Sequence, residues 1–202
     1  VILGIVVVIG VMLLPLRGVI AQGQAVASKG KQLGDAIKNQ DIDKTKIYLK
    51  ETRESLGVLA KEYGKMKGLS VVPFLGGYVN DGQHAMNAAF AGLDAGDKAL
   101  EALEPNADLL GLKGKSKFVA GTADERLQTA VKTMTALTPK VNEMASAIDK
   151  LGKELDAIDP NRYPEKIGKT VVRSRLVGMK ETIENAANLF VNAQPLLINL
   201  PK

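Results

Sequence analysis

The sequence predicts an all-α protein in which an N-terminal transmembrane helix continues into an elongated antiparallel helical bundle. Three observations carry this expectation. Residues 1–16, VILGIVVVIGVMLLPL, contain no charged side chain, and Arg17 closes the run. Between positions 127 and 158 apolar residues recur at heptad spacing. The helical patterns are separated by segments containing Pro or Gly, and no alternating pattern is long enough for a sheet.

At about 1.5 Å per residue the apolar run measures roughly 24 Å, less than the ~30 Å hydrocarbon core of a bilayer. Residues 1–17 are therefore expected to be a truncated transmembrane anchor, and residues 18–202 an extracytoplasmic bundle or stalk. A signal-peptide remnant, a pilin-like processed helix and a buried core helix are the competing readings of the same run. The segment 17–67 carries 11 Lys/Arg against 6 Asp/Glu, whereas the rest of the chain is nearly balanced. A basic excess next to a membrane is drawn to anionic headgroups, and a mixed solvated face is the plainer reading.

After Arg17, Val19, Val26 and Leu33 are seven apart, with Gly23, Gly30 and Ile37 four places after each. This predicts that the anchor helix extends out of the bilayer, with the two glycines permitting close packing, and stops near Asn39. Asp41 and Asp43 offer N-caps to a second helix, whose seam is Leu49, Thr52, Leu56, Leu59, Tyr63 and Met66. Residues 68–77, GLSVVPFLGG, form an apolar turn expected to fold back onto a helical end. The third helix, about 78–103, is rich in Ala and Gly, with Met86, Phe90, Leu93 and Leu100 as bulk. Small residues let helix axes approach closely, so this helix is expected to be central, and Pro105 ends it.

Thr122 and Glu125 form a capping-box pattern at the start of the strongest repeat. Leu127, Met134, Val141, Ile148 and Leu155 recur every seven residues, and Ala130, Leu137, Met144, Leu151 and Ile158 follow three places later. Pro139 lies off this seam and is expected to bend the helix without breaking it. The helix should end at Asp159-Pro160. A last helix carries Val172, Leu176, Met179, Ile183, Ala186, Phe190 and Ala193 before Pro195.

Residue chemistry excludes more than it suggests. With no cysteine and a single histidine, disulfides, thiolate nucleophiles and multi-histidine metal sites are ruled out. Aromatics are 4% with no Trp, which argues against nucleic-acid binding. Gly114-Lys115-Ser116 resembles the end of a phosphate loop, but Leu109 stands where that motif needs Gly. Lys113, Lys115 and Lys117 read as a solvated loop that could touch an anionic envelope polymer. His84 follows Asp81 by three residues, so the two share a helical face and could hydrogen-bond, without a nucleophile or metal partner set. The methionines on the seams, Met66, Met134, Met144 and Met179, read as core filler, as does Met86. No catalytic, cofactor-binding or metal residue is expected.

The turn VVPFLGGYVNDGQHAMNAA, the helix end LDAIDPNRYP and the terminal NLFVNAQPLLINLP resemble the N-terminal part of an envelope-protein family, domain of unknown function 4012. The resemblance rests chiefly on Pro73, Gly76, Gly77, Asp159, Pro160, Tyr163 and Pro164. It implies a single-pass protein with its bulk outside the cytoplasm, connected with envelope polysaccharides, and a further domain after the region that resembles this chain. It supplies no catalytic residues. The expected function is a non-enzymatic scaffold anchored in the cell membrane, binding protein partners or itself. The alternative is the helical sensory ectodomain of a receptor.

Overall fold

The computed structural model describes residues 16–107, 112–113 and 122–198. Helices α1 (Leu16–Lys38), α2 (Ile42–Gly64), α3 (Leu75–Leu103), α4 (Ala123–Asp156) and α5 (Arg173–Ile198) account for most of them. Single 3-10 turns occupy Lys67–Val71, Glu104–Asn106 and Pro160–Arg162. Among the described residues the helices are joined by a minimal antiparallel hairpin, β1 (Lys166–Ile167) with β2 (Thr170–Val171), turning at Gly168 with φ +60, and by an isolated bridge between Asp41 and Lys113.

Each connection stops one helix and starts the next by local chemistry. At the end of α1 the Asp41 amide reaches back to the Ala36 carbonyl and the Gln40 amide to Ile37, with Gln40 in the left-handed region at φ 54. The Asp41 side chain then accepts from the Lys44 amide at 3.0 Å and caps α2. Thr122 and Glu125 form the expected reciprocal box at the start of α4. The α4 backbone is helical through Pro139, and α5 is helical through Pro195, where the sequence predicted its end.

Consecutive helices pack antiparallel, α1 on α2, α2 on α3, α3 on α4 and α4 on α5. Their register is marked by polar pairs: Lys29 with Glu51, Arg53 with Asp94 and Asp97, Lys98 with Glu143, and the Lys180 ammonium on the Ile158 carbonyl. The main core joins Leu49, Leu56, Met86 and Leu93, with Val26 and Leu33 of α1 against it. A second cluster joins Ala88 to Leu155 and Ile158, with Leu176 and Ile183 of α5 packed on it. α3 is central as expected: a Cβ on its Gly96 would lie 2.7 Å from Leu49 Cδ1, and one on Gly92 would lie 3.1 Å from Leu151 Cδ1.

Several expectations need correction. A Cβ on Gly23 or Gly30 would meet nothing, so these glycines permit no close approach, and Ile37 is exposed. The α4 seam is buried at Val141, Leu155 and Ile158 but exposed at Leu127, because α4 outruns its partner. The Lys140–Glu101 pair sets the end of α3 just short of Lys140. The first four turns of α4, roughly 20 Å, thus project beyond α3. Met179 lies exposed on α5 and is not core filler. The side chains of Ala130, Met134, Leu137 and Phe190 lie outside the described residues. So does most of the expected anchor, residues 1–15, and among the described residues no helix is long and apolar enough to cross a membrane.

Val141 is 1% exposed at the middle of the α4 seam. Val141→Asp should cost about 3 kcal/mol or more by burying an unpaired carboxylate, whereas Lys150→Asp on the outer face should stay within about 1 kcal/mol. Denaturant titration followed by circular dichroism separates the two.

Candidate functional site

At one end of the bundle, the base, α1 begins, α2 ends, α3 begins, α4 ends and α5 begins. The turn that joins α2 to α3 buries Leu69 against Met66 and Val79, with Val19, Tyr63, Val72 and Leu75 around them. Two glycines of α3 are fixed by close approach here. A Cβ on Gly76 would strike the Ser70 carbonyl, and one on Gly82 would strike the Tyr63 hydroxyl.

Asp81, 2% exposed, is the centre of the polar base. Its Oδ2 takes Arg162 Nη1 at 2.5 Å and accepts from the Tyr163 hydroxyl at 3.0 Å. Arg162 Nη1 also donates to the Gly77 carbonyl at 3.2 Å. In return the Tyr78 hydroxyl donates to the Arg162 carbonyl at 2.9 Å, and the rings of Tyr78 and Tyr163 meet edge to face with centroids 5.3 Å apart. Tyr63 donates to the Val79 carbonyl at 2.7 Å, and Arg173 Nε holds the Tyr163 carbonyl at 2.9 Å. The α4–α5 connection is thereby clamped to the start of α3. Local chemistry prepares the clamp, because Asp159 caps the 3-10 turn through the Asn161 amide and so aims Arg162 and Tyr163 inward.

Burial pushes the Tyr163 phenol above its ordinary value, and the Asp81 carboxylate adds to the shift by its hydrogen bond and its charge. Burial, then Asp81, does the same to Tyr63. Both phenols therefore stay protonated as donors, Tyr163 to Asp81 and Tyr63 to the Val79 carbonyl, and Asp81 also takes Arg162. This is a constellation that fixes geometry; it offers no activated nucleophile.

His84 does not meet Asp81. Its Nδ1 lies 2.7 Å from Glu154 Oε2 across the α3–α4 interface, and Asn87 donates to the same carboxylate at 3.2 Å. The His84 bond, with Asn87 behind it, holds the Glu154 carboxyl below the usual range. Among the described residues no group of three or more His, Asp or Glu side chains could hold a metal ion. Gly114, Lys115, Ser116 and Lys117 lie outside the described residues; Lys113 forms a backbone bridge with Asp41, and the neighbouring Leu112 carbonyl accepts from Ile42 N at 2.6 Å.

Concavities lie along α3, among them one of about 270 Å³ at the base between Leu16, Val19 and Leu75. A groove of about 640 Å³ is lined by Lys46, Arg53, Asp94, Asp97 and Lys98 among others. Its charges answer each other: Arg53 bridges Asp94 and Asp97 at 2.7 and 2.6 Å, and Lys46 meets Glu104 at 2.6 Å. Exposed pairs of this kind contribute ~0–1 kcal/mol each and suit a solvated face better than a binding site. At the end away from the base, Ile37, Leu49, Leu100 and Leu112 line an apolar gap of about 240 Å³.

The residues on which the family resemblance rests thus come from two distant segments that meet at the base. Sequence reasoning did not identify the Asp81–Arg162–Tyr163 cluster. The available signal was an acidic residue among the small apolar residues that open α3. Comparison with protein families, curated proteins and solved structures gives no match to the chain.

The clamp has a pH signature. An unfolded tyrosine loses its proton near pH ~10, while folded Tyr163 keeps it to higher pH. Its contribution to stability is complete below about pH 10 and is lost as pH rises through the folded value. Tyr163→Phe should cost about 1–2 kcal/mol at neutral pH and should flatten the alkaline fall in stability, as urea titrations at a series of pH values will show.

Proposed function

We propose that the chain is a non-enzymatic, single-pass protein of the cell envelope: residues 1–17 sit in the bilayer, and the bundle stands outside the cytoplasm as a stalk. The observation that carries this reading is the number of antiparallel passes. With five helices in alternating directions, Leu16 lies at the base and Ile198 at the far end. At ~1.5 Å per residue, α5 alone separates these levels by roughly 40 Å.

The charge-free run enters α1 at the base, so the anchor and the polar clamp share one end. At the other end the projecting turns of α4 expose Leu127 and Val131, an apolar strip suited to a protein partner, a distal domain or a second copy. The resemblance to the envelope family of domain of unknown function 4012 supports the same placement, and a link to envelope polysaccharide would follow from it. A sensory ectodomain is the alternative reading of the same bundle.

Flotation with phospholipid vesicles tests the anchor. The full chain should float and should remain bound at high salt. The same chain carrying Val7→Lys and Ile9→Lys should stay at the bottom of the gradient. Equal flotation of both proteins, or of neither, overturns the reading.

A further inference from the structure

The connection between α2 and α3 buries only part of its apolar content. Leu69 is in the core, yet Val71 is 84% and Phe74 93% exposed. The expectation that the whole turn folds back is therefore wrong for its tip. Phe74 also holds φ 69, a left-handed conformation that an aromatic residue rarely adopts. The backbone strain here turns a large apolar ring away from the protein.

The position of the tip indicates what covers it. A Cβ on Gly18 would lie 2.9 Å from the Glu62 side chain, so the end of α2 is level with the start of α1. Gly82 in turn touches Tyr63, so the residues of α3 before Gly82 extend past α2. Phe74 thus projects at the base beside the start of α1, where its neighbour Leu75 lines one concavity with Leu16 and Val19. It does so at the end where the charge-free residues 1–15 join α1. The segments at this end carry exposed basic residues: Arg17, Lys65 and Lys67 near the α2–α3 connection and the start of α1, and Lys166 and Lys169 on the hairpin that follows Tyr163. Of the acidic groups at this end, Glu62 pairs with Lys65, Asp81 with Arg162 and Asp156 with Lys180, while Glu165 and Asp159 are hydrogen-bonded to the Ser174 hydroxyl and the Asn161 amide.

We infer that residues 71–74 are a second membrane contact, in which Val71 and Phe74 enter the headgroup–acyl boundary of an anionic phospholipid bilayer while the lysines at this end meet the headgroups. An exposed aromatic and valine at an end that also carries exposed Arg17, Lys67, Lys166 and Lys169 suit a fluid anionic interface. A protein groove would instead be met by a concave or flat apolar face. The inference rests on the anchor reading. Its consequence is mechanical: an anchor alone lets the bundle swing about Arg17, and a second contact fixes its tilt.

The chain has no cysteine, so one introduced thiol takes one label. The full chain carrying Phe74→Cys, labelled with an environment-sensitive fluorophore, is placed in vesicles of phosphatidylcholine with phosphatidylglycerol. Ile47→Cys, on the exposed face of α2 far from the base, is the comparison. The label at position 74 should shift to the blue and be quenched several-fold more by nitroxide-bearing lipids than the label at 47, and less strongly without phosphatidylglycerol. In a Val71→Cys chain, adding Phe74→Asp should abolish the quenching. Floating protein whose labels at 74 and 47 behave alike sinks the inference and leaves the anchor standing. A label at 74 that is shielded but untouched by lipid quenchers means that a protein or second copy covers the tip, and also overturns it. Protein that does not float removes both readings.

Discussion

The surface of α3 is where two antiparallel pairs become one body. α1 packs on α2 and α4 on α5, and α3 lies between these pairs with a side chain small enough to be crossed on each side. Gly96 receives Leu49 of α2, Gly92 receives Leu151 of α4, and Ala88 and Ala91 are buried. A larger residue at Gly92 or Gly96 would push a leucine out of its place, and interiors packed at crystal density absorb such shifts poorly. The salt bridges from Arg53 on one flank and Lys98 on the other run along this same helix. They mark the register of both interfaces without supplying much of their stability.

Sliding of α3 along its neighbours is opposed at the base. Asp81 is buried, and desolvating a carboxylate is costly unless its lone pairs are satisfied. Arg162 and Tyr163 both reach its Oδ2 from the α4–α5 connection, and Tyr78 returns a hydrogen bond to that connection. The arrangement therefore works in one register only: moving α3 by a turn would strand the carboxylate. Packing along the shaft and polar matching at the base thus divide the task, one giving adhesion and the other alignment.

The helices were legible in the sequence because their signals are local. Thr122 and Glu125 are three residues apart, and Asp41 caps an amide three residues on. The heptad in α4 is also local, and it identified the face containing Val141, Leu155 and Ile158. Periodicity reports which face is apolar, but not whether a neighbour is long enough to cover it, hence the exposed Leu127. Gly23 and Gly30 failed for the same reason, since close approach depends on what stands opposite. The clamp was out of reach because Asp81 and Arg162 are far apart in sequence and no pattern on α3 names its partner. In the 68–77 turn, composition was read as burial, whereas a short connection around one buried leucine has no room beneath it for Val71 and Phe74.

The packing at the base limits how its helices can move. A sensory ectodomain transmits by moving one membrane-linked helix relative to another at the same end. Among the described residues α1 is the helix that follows the charge-free run, and α5 starts at the same end and runs away from it. Moreover, α1 packs through Val19 on the cluster of Met66, Leu69 and Val79, and the clamp ties the other helix ends at the base together. A piston shift of α1 would have to break that cluster. The same features suit a stalk, which needs its foot rigid and its far end presented at a fixed height.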